Sequence, residues 1–99
     1  MRMLGNITAC ECMALRFLHM QGAGIMDDEP ASLAKAHCAV KMRESVGYAR
    51  ELTGGNGNLL DHPVGRFVAD GEAIYFYEGT REMNMLIVGK AITGFSAFV

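Results

Sequence analysis

The sequence predicts an all-α fold, a four-helix bundle, on three observations. Apolar residues recur at three- and four-residue steps over most of the 99 positions. Prolines and glycines stand where helices start and stop. The one aromatic run that could be a strand, Ala73 to Tyr77, has no second strand to pair with, and an isolated strand is not stable in water.

The first helix is expected from Met3 to Met20, where Leu4, Ile7, Met13, Ala14, Phe17 and Leu18 form the apolar pattern between Glu11, Arg16 and His19. It starts without a capping residue, as a helix cut from something longer would, and Gln21-Gly22-Ala23-Gly24 ends it. Pro30 is read as the first residue of a second helix, with Asp28 and Glu29 beside the positive end of its dipole. That helix runs to about Leu52. Leu33, Ala36, Val40, Gly47, Tyr48 and Leu52 mark one stripe and Ala39, Met42, Val46 and Ala49 another, so burial on two sides is expected. Thr53-Gly54-Gly55-Asn56-Gly57 stops it; the string lacks G-x-G-x-x-G and a Walker lysine and follows a helix, which argues against a phosphate loop. His62-Pro63 opens a third helix, with a break at Gly71, that continues to the turn Tyr77-Glu78-Gly79. Thr80 caps the fourth, Glu82 sits in its first turn, and Met83, Leu86, Ile87, Lys90 and Ala91 carry it, with Met85, Val88 and Ile92 on its other side, so an enclosed helix is expected. Gly94 to Val99 is an apolar tail with Phe95 and Phe98.

Composition bounds the function. The chain is 51% hydrophobic, with eight methionines and no tryptophan, which is rich for one small domain and points to apolar surface facing a partner or another domain. Nine basic and eleven acidic residues without a like-charge block give no footing for nucleic acid or an anionic membrane. No run has the length of a membrane span and no signal peptide is recognisable, so the expected location is cytoplasmic or the mitochondrial matrix. Cys10, Cys12 and Cys38 lack C-x-x-C spacing; Cys10 and Cys12 point about 200° apart on a helix and cannot share an ion, so no metal is expected and the three are read as small core residues. Glu78, a carboxylate between aromatics and a glycine with a helix N-terminus behind it, is well placed to serve as a base.

Three segments, in this order and at these separations, resemble the C-terminal helical domain of the acyl-CoA dehydrogenases: Leu52-Thr53-Gly54-Gly55-Asn56-Gly57, Ile74-Tyr75-Phe76-Tyr77-Glu78-Gly79-Thr80, and Met85-Leu86-Ile87-Val88-Gly89-Lys90-Ala91-Ile92-Thr93-Gly94. The last, with Ser96-Ala97-Phe98 behind it, is most similar to the glutaryl-CoA dehydrogenase branch. The resemblance covers essentially all of residues 1–99 and implies an FAD enzyme of fatty acid or amino acid catabolism whose N-terminal and middle domains this chain lacks. In that family the carboxylate matching Glu78 removes the α-proton of an acyl-CoA thioester while hydride passes from the β-carbon to FAD. The backbone N–H of the same residue, with a flavin ribityl hydroxyl, binds the thioester carbonyl. The resemblance further implies substrate contacts at Tyr77 and Gly79. FAD contacts fall at Thr80, Arg81, Glu82 and Phe98 in the same subunit, and at Glu51, Leu52, Thr53, Gly54 and Gly55 towards the pyrophosphate and adenosine of a neighbour's FAD. Many relatives carry glutamine where Glu51 and Glu82 stand. A homo-oligomer, dimer or tetramer, and electron-transfer flavoprotein are the implied partners. The competing expectation is a catalytically inactive, truncated helical oligomerisation module.

Overall fold

A computed structural model describes residues 1–98; Val99, the end of the expected apolar tail, lies outside the described residues. Four α-helices form, α1 (Arg2–Gly22), α2 (Asp28–Thr53), α3 (Pro63–Phe76) and α4 (Arg81–Thr93), with a 3-10 turn at Gly54–Asn58. No strand occurs among the described residues. The all-α, four-helix reading holds, and the Ala73–Tyr77 aromatics belong to α3 as expected.

Helix α2 is the spine, because α1, α3 and α4 each pack on it. α1 runs antiparallel to α2: Arg2 stacks over the Tyr48 ring at 5.7 Å, and Asn6 Nδ2 donates to Lys41 O, Glu44 Oε2 and Ser45 Oγ at 3.4, 3.2 and 3.3 Å. α3 also runs antiparallel, along the C-terminal half of α2. Gly71 faces Met42 and Val46, and Arg43 Nε donates to Glu72 Oε1 at 2.7 Å while its guanidinium lies 4.2 Å over the buried Tyr75 ring. α4 takes the N-terminal half, where Asn84, Ile87 and Lys90 line one groove with Asp28, Ala31 and Ser32. The junction of α3 and α4 therefore falls beside the middle of α2.

Several local expectations are corrected. α2 begins at Asp28 with Asp27 as N-cap, so Pro30 is its third residue; proline is tolerated there because first-turn N–H groups have no helical partner anyway. α3 is continuous through Gly71, which is buried against α2, so the expected break is absent. On α1 the half-buried positions are Met3, Asn6, Cys10, Met13, Phe17 and Met20, a three-four repeat facing α2. Leu4, Ile7, Leu15 and Leu18 are 69, 50, 57 and 62% exposed and share a stripe about 80° wide. Of the cysteines, Cys10 and Cys38 are half-buried on the α1–α2 seam, where burial pushes the Cys38 thiol up to about 11, whereas Cys12 is exposed. α4 is not enclosed: only Asn84 is buried, and Met85 and Ile92 are 54 and 80% exposed, because α2 is the main element α4 packs on.

The expected modest core is smaller still, with Ala39 and Tyr75 the only buried hydrophobic residues among those described. The molecule is a slab of 48 × 32 × 19 Å with a radius of gyration of 16.0 Å; a compact domain of 100 residues has about 13 Å.

Candidate functional site

The connection between α3 and α4 carries the candidate site. α3 ends at Phe76, and the Tyr77 N–H closes its last turn on Ala73 O at 3.0 Å. Glu78 then adopts φ +56° and Gly79 φ +84°. For Gly79 this is an ordinary glycine conformation, and a Cβ there would also come within 3.3 Å of Asn84 Nδ2. For Glu78, the one non-glycine residue with positive φ among those described, the left-handed backbone costs on the order of 1–3 kcal/mol. Such a conformation persists where the surroundings over-determine it, and it concentrates at functional turns.

The surroundings here are specific. Asn84, 7% exposed, donates from Nδ2 to Gly79 O at 3.1 Å and to Thr80 O at 2.9 Å. Lys35 of α2 donates from Nζ to Ile74 O in the last turn of α3 and lies 5.0 Å from the centroid of the Tyr77 ring. Thr80 is the N-cap of α4, its Oγ1 accepting from the Met83 N–H at 3.3 Å. Arg81 and Glu82 pair at 3.0 Å in the first turn, and the Glu82 carboxyl is held below the usual carboxylate range, first by its own backbone N–H and then by Arg81 and Thr80. Losing the Thr80 cap by Thr80→Ala is expected to cost about 1 kcal/mol. Thermal unfolding should then fall by roughly 4–8 °C for a domain of this size.

Beside this turn an open groove of about 700 Å³ runs between α2 and α4. Glu78 and Phe98 both line it, as do Lys35 and Lys90. The exposed Glu78 therefore shares a partly apolar groove with Ala31, Leu86 and Ile87. Tyr77, Glu78, Gly79, Thr80, Arg81 and Glu82 thus follow one another at the N-terminal end of α4; Phe98, beyond the other end of that helix, shares the groove with Glu78, whereas Arg81 lines a separate groove with Arg43, Arg50 and Tyr75.

Glu51, Leu52, Thr53, Gly54 and Gly55 are elsewhere, at the C-terminal end of α2. At about 1.5 Å per residue, Lys35 and Glu51 are about 24 Å apart along that helix. Gly54 has φ +58°, and neither it nor Gly55 has an atom within 4 Å of a Cβ position, so this backbone is open to close approach. Gly57 differs: a Cβ there would meet Thr53 Oγ1 at 2.5 Å and Arg50 O at 2.7 Å, so its role is packing. Leu52 is 76% exposed, and Thr53 bonds back to Ala49 O and Arg50 O.

Lys35 and Asn84 were not singled out from the sequence. The available signal for Lys35 was a lone cation at a helical step from Ala39, Met42 and Val46, on an otherwise apolar stripe. Asn84 had none beyond standing in the first turn and a half after Gly79. Among the described residues no cluster of three or more His, Cys, Asp or Glu side chains is arranged to hold a metal ion, and no helix is long and apolar enough to cross a membrane.

Comparison with known proteins supplies the frame for this site. The family model for the acyl-CoA dehydrogenase C-terminal domain matches residues 1–93. An acyl-CoA dehydrogenase of Bacillus subtilis is 31% identical over 75 residues, 76% of this chain and 20% of that protein. A short-chain specific acyl-CoA dehydrogenase of Clostridium acetobutylicum is 29% identical over 86 residues, 87% of this chain and 23% of that protein. The crystal structure of glutaryl-CoA dehydrogenase from Mycobacterium smegmatis superposes with a TM-score of 0.83 at 35% identity, covering 89% of this chain and 23% of that one. The chain spans about a fifth of the length of the relatives it matches.

Proposed function

Since the chain belongs to the acyl-CoA dehydrogenase C-terminal domain family, we propose that it is the part of an FAD-dependent acyl-CoA dehydrogenase that carries the catalytic base, Glu78. The observation that carries this reading is the backbone at Glu78: an exposed residue in a left-handed turn, lining an open groove of about 700 Å³. The α-proton of a thioester is too weakly acidic for a carboxylate alone, so the carbonyl oxygen must be met by a fixed donor as charge develops. The Glu78 N–H fits that task, because it makes no hydrogen bond among the described residues. Glu78 thus takes the α-proton through its carboxylate and holds the thioester carbonyl through its amide. An acyl chain in the groove excludes water from the carboxylate and strengthens it as a base.

The residues present fit FAD at two places. The α4 N-terminus offers N–H groups and a positive dipole end at Thr80, Arg81 and Glu82, with the Glu82 charge internally paired to Arg81. The open backbone at Gly54 and Gly55 would let a second, extended part of a dinucleotide lie close, and Glu51 at the same end of α2 would serve ribose hydroxyls there. Their separation along α2 suits two flavins of a homo-oligomer, each shared between subunits. Bound FAD supplies the acceptor for the β-hydride, and electron-transfer flavoprotein is the expected next acceptor. Glutaryl-CoA is the first substrate to test, on the likeness to the M. smegmatis enzyme.

The test is anaerobic flavin reduction by acyl-CoA thioesters in the full-length enzyme, with Gly55→Val beside it. No atom stands near a Cβ at Gly55, so that substitution should leave thermal stability close to parental and lower the flavin content. A loss of stability at unchanged flavin content would assign Gly55 to the fold instead.

A further inference from the structure

We propose that Lys35 and Asn84 are positioning residues that clamp the Glu78 turn from its two sides, a role that rests on Glu78 being the base. The turn is otherwise held poorly. Glu78 is exposed, its φ of +56° is one that a non-glycine residue rarely adopts, and it is followed by Gly79 at +84°. Nothing in the local sequence compels two successive left-handed residues, so the compulsion comes from other elements.

Lys35 acts on the upstream side. Had α3 continued, Ile74 O would accept from the N–H of Glu78, four residues on. Lys35 Nζ occupies that carbonyl instead, so the Glu78 N–H is not drawn back into the helix and stays available to a ligand. The same ammonium lies 5.0 Å from the Tyr77 ring centroid, which fixes the residue before the base. Asn84 acts on the downstream side. Its amide donates to both Gly79 O and Thr80 O, and it is buried, so it cannot relax towards solvent. The two Asn84 hydrogen bonds fix the peptides after Gly79 and Thr80, and with them the exit from the turn; the single Lys35 hydrogen bond leaves the amide before Glu78 free.

The clamp couples the turn to two helices. Lys35 comes from α2 and Asn84 from α4, so the carboxylate is aimed by the packing of those two helices. Misplacing a reacting group by about 1 Å can lower a rate on the order of 10²-fold.

The experiment uses the flavin-loaded full-length enzyme with Lys35→Met, Lys35→Arg, Asn84→Asp and, as control, Glu78→Gln. Lys35→Met keeps the stem and removes the donor. Asn84→Asp keeps the shape, replaces the donor with a carboxylate oxygen that faces two carbonyl oxygens, and is otherwise tolerated near a helix N-terminus. Both are expected to lower the rate of flavin reduction about 10- to 100-fold with flavin content and KM for the thioester within about twofold of parental, and Lys35→Arg is expected to restore most of the rate. A purely structural role would lower flavin content and stability together and leave the rate per bound flavin unchanged, which would overturn the clamp. Parental rates in Lys35→Met and Asn84→Asp beside an inactive Glu78→Gln would also overturn it while leaving the base intact. A fully active Glu78→Gln would instead remove the reading on which the clamp depends. In the 99-residue chain itself, the strong intraresidue amide–Hα NOE that marks positive φ at Glu78 should be lost in Asn84→Asp; its persistence counts against the clamp.

Discussion

Glu78→Gln in the full-length flavoenzyme is expected to keep flavin content and thioester affinity near parental and to lower flavin reduction by at least ~10²-fold, the low end of what a general base contributes. The substitution is conservative in the right way. Glutamine preserves the length of the side chain, the left-handed backbone of the turn and the free amide N–H, and it deletes proton acceptance alone. Its effect therefore reads the base and not the architecture. Stopped-flow reduction under anaerobic conditions measures it, and a rate within about twofold of parental would take Glu78 out of the mechanism.

The second large effect belongs to the 99 residues taken by themselves. They expose 7091 Å², whereas a compact monomer of this size shows about 5,500 Å². The difference of about 1,600 Å² is twice the roughly 800 Å² that each partner buries in a standard interface. Much of the exposed surface is apolar, with Leu4, Leu15 and Leu18 on α1, Met85 and Ile92 on α4, and Phe95 at 82% exposure in the tail. At about 25 cal/mol per Å², leaving several hundred Å² of it in water forgoes several kcal/mol, comparable with the whole stability of a small domain. The chain is expected to sediment as a strongly helical dimer or larger oligomer at micromolar concentration, colourless and without dehydrogenase activity of its own. A well-folded monomer, or flavin absorbance in the purified chain, would contradict this.

Helix number and the helix-forming role of the Ala73–Tyr77 aromatics were legible because periodicity and the punctuation at Pro63, Gly54 and Thr80 agree with one another. The Thr80 cap was legible for the same reason: a hydroxyl at the N-cap bonds to an amide three residues on, an interaction wholly local to the sequence. The face each helix turns inward was not. On α1, Leu4 and Phe17 look equivalent in a hydropathy pattern, yet Phe17 faces α2 and Leu4 faces outward, because only the packing partner decides which of two adjacent apolar stripes is covered. α4 was misread as enclosed on the same ground. At the site, the Tyr77–Thr80 turn was recognisable, while its supports came from Lys35, 39 residues before the Ile74 carbonyl it meets, and from a buried asparagine whose value lies in two backbone oxygens.

The placement of α3 and α4 in succession along one spine has a kinetic consequence. α1 and α3 are sequence neighbours of α2 and can dock on it as helical hairpins, closing short loops at little entropic cost. α4 must fold back past α3 to reach the segment around Ser32, and so closes the longest loop in the chain. The last helix to dock is therefore the one that carries Asn84. Amides of α4 should exchange with solvent through a lower-energy opening than those of the α2–α3 hairpin, and each such opening dissolves the left-handed geometry at Glu78 before the rest of the molecule has begun to unfold.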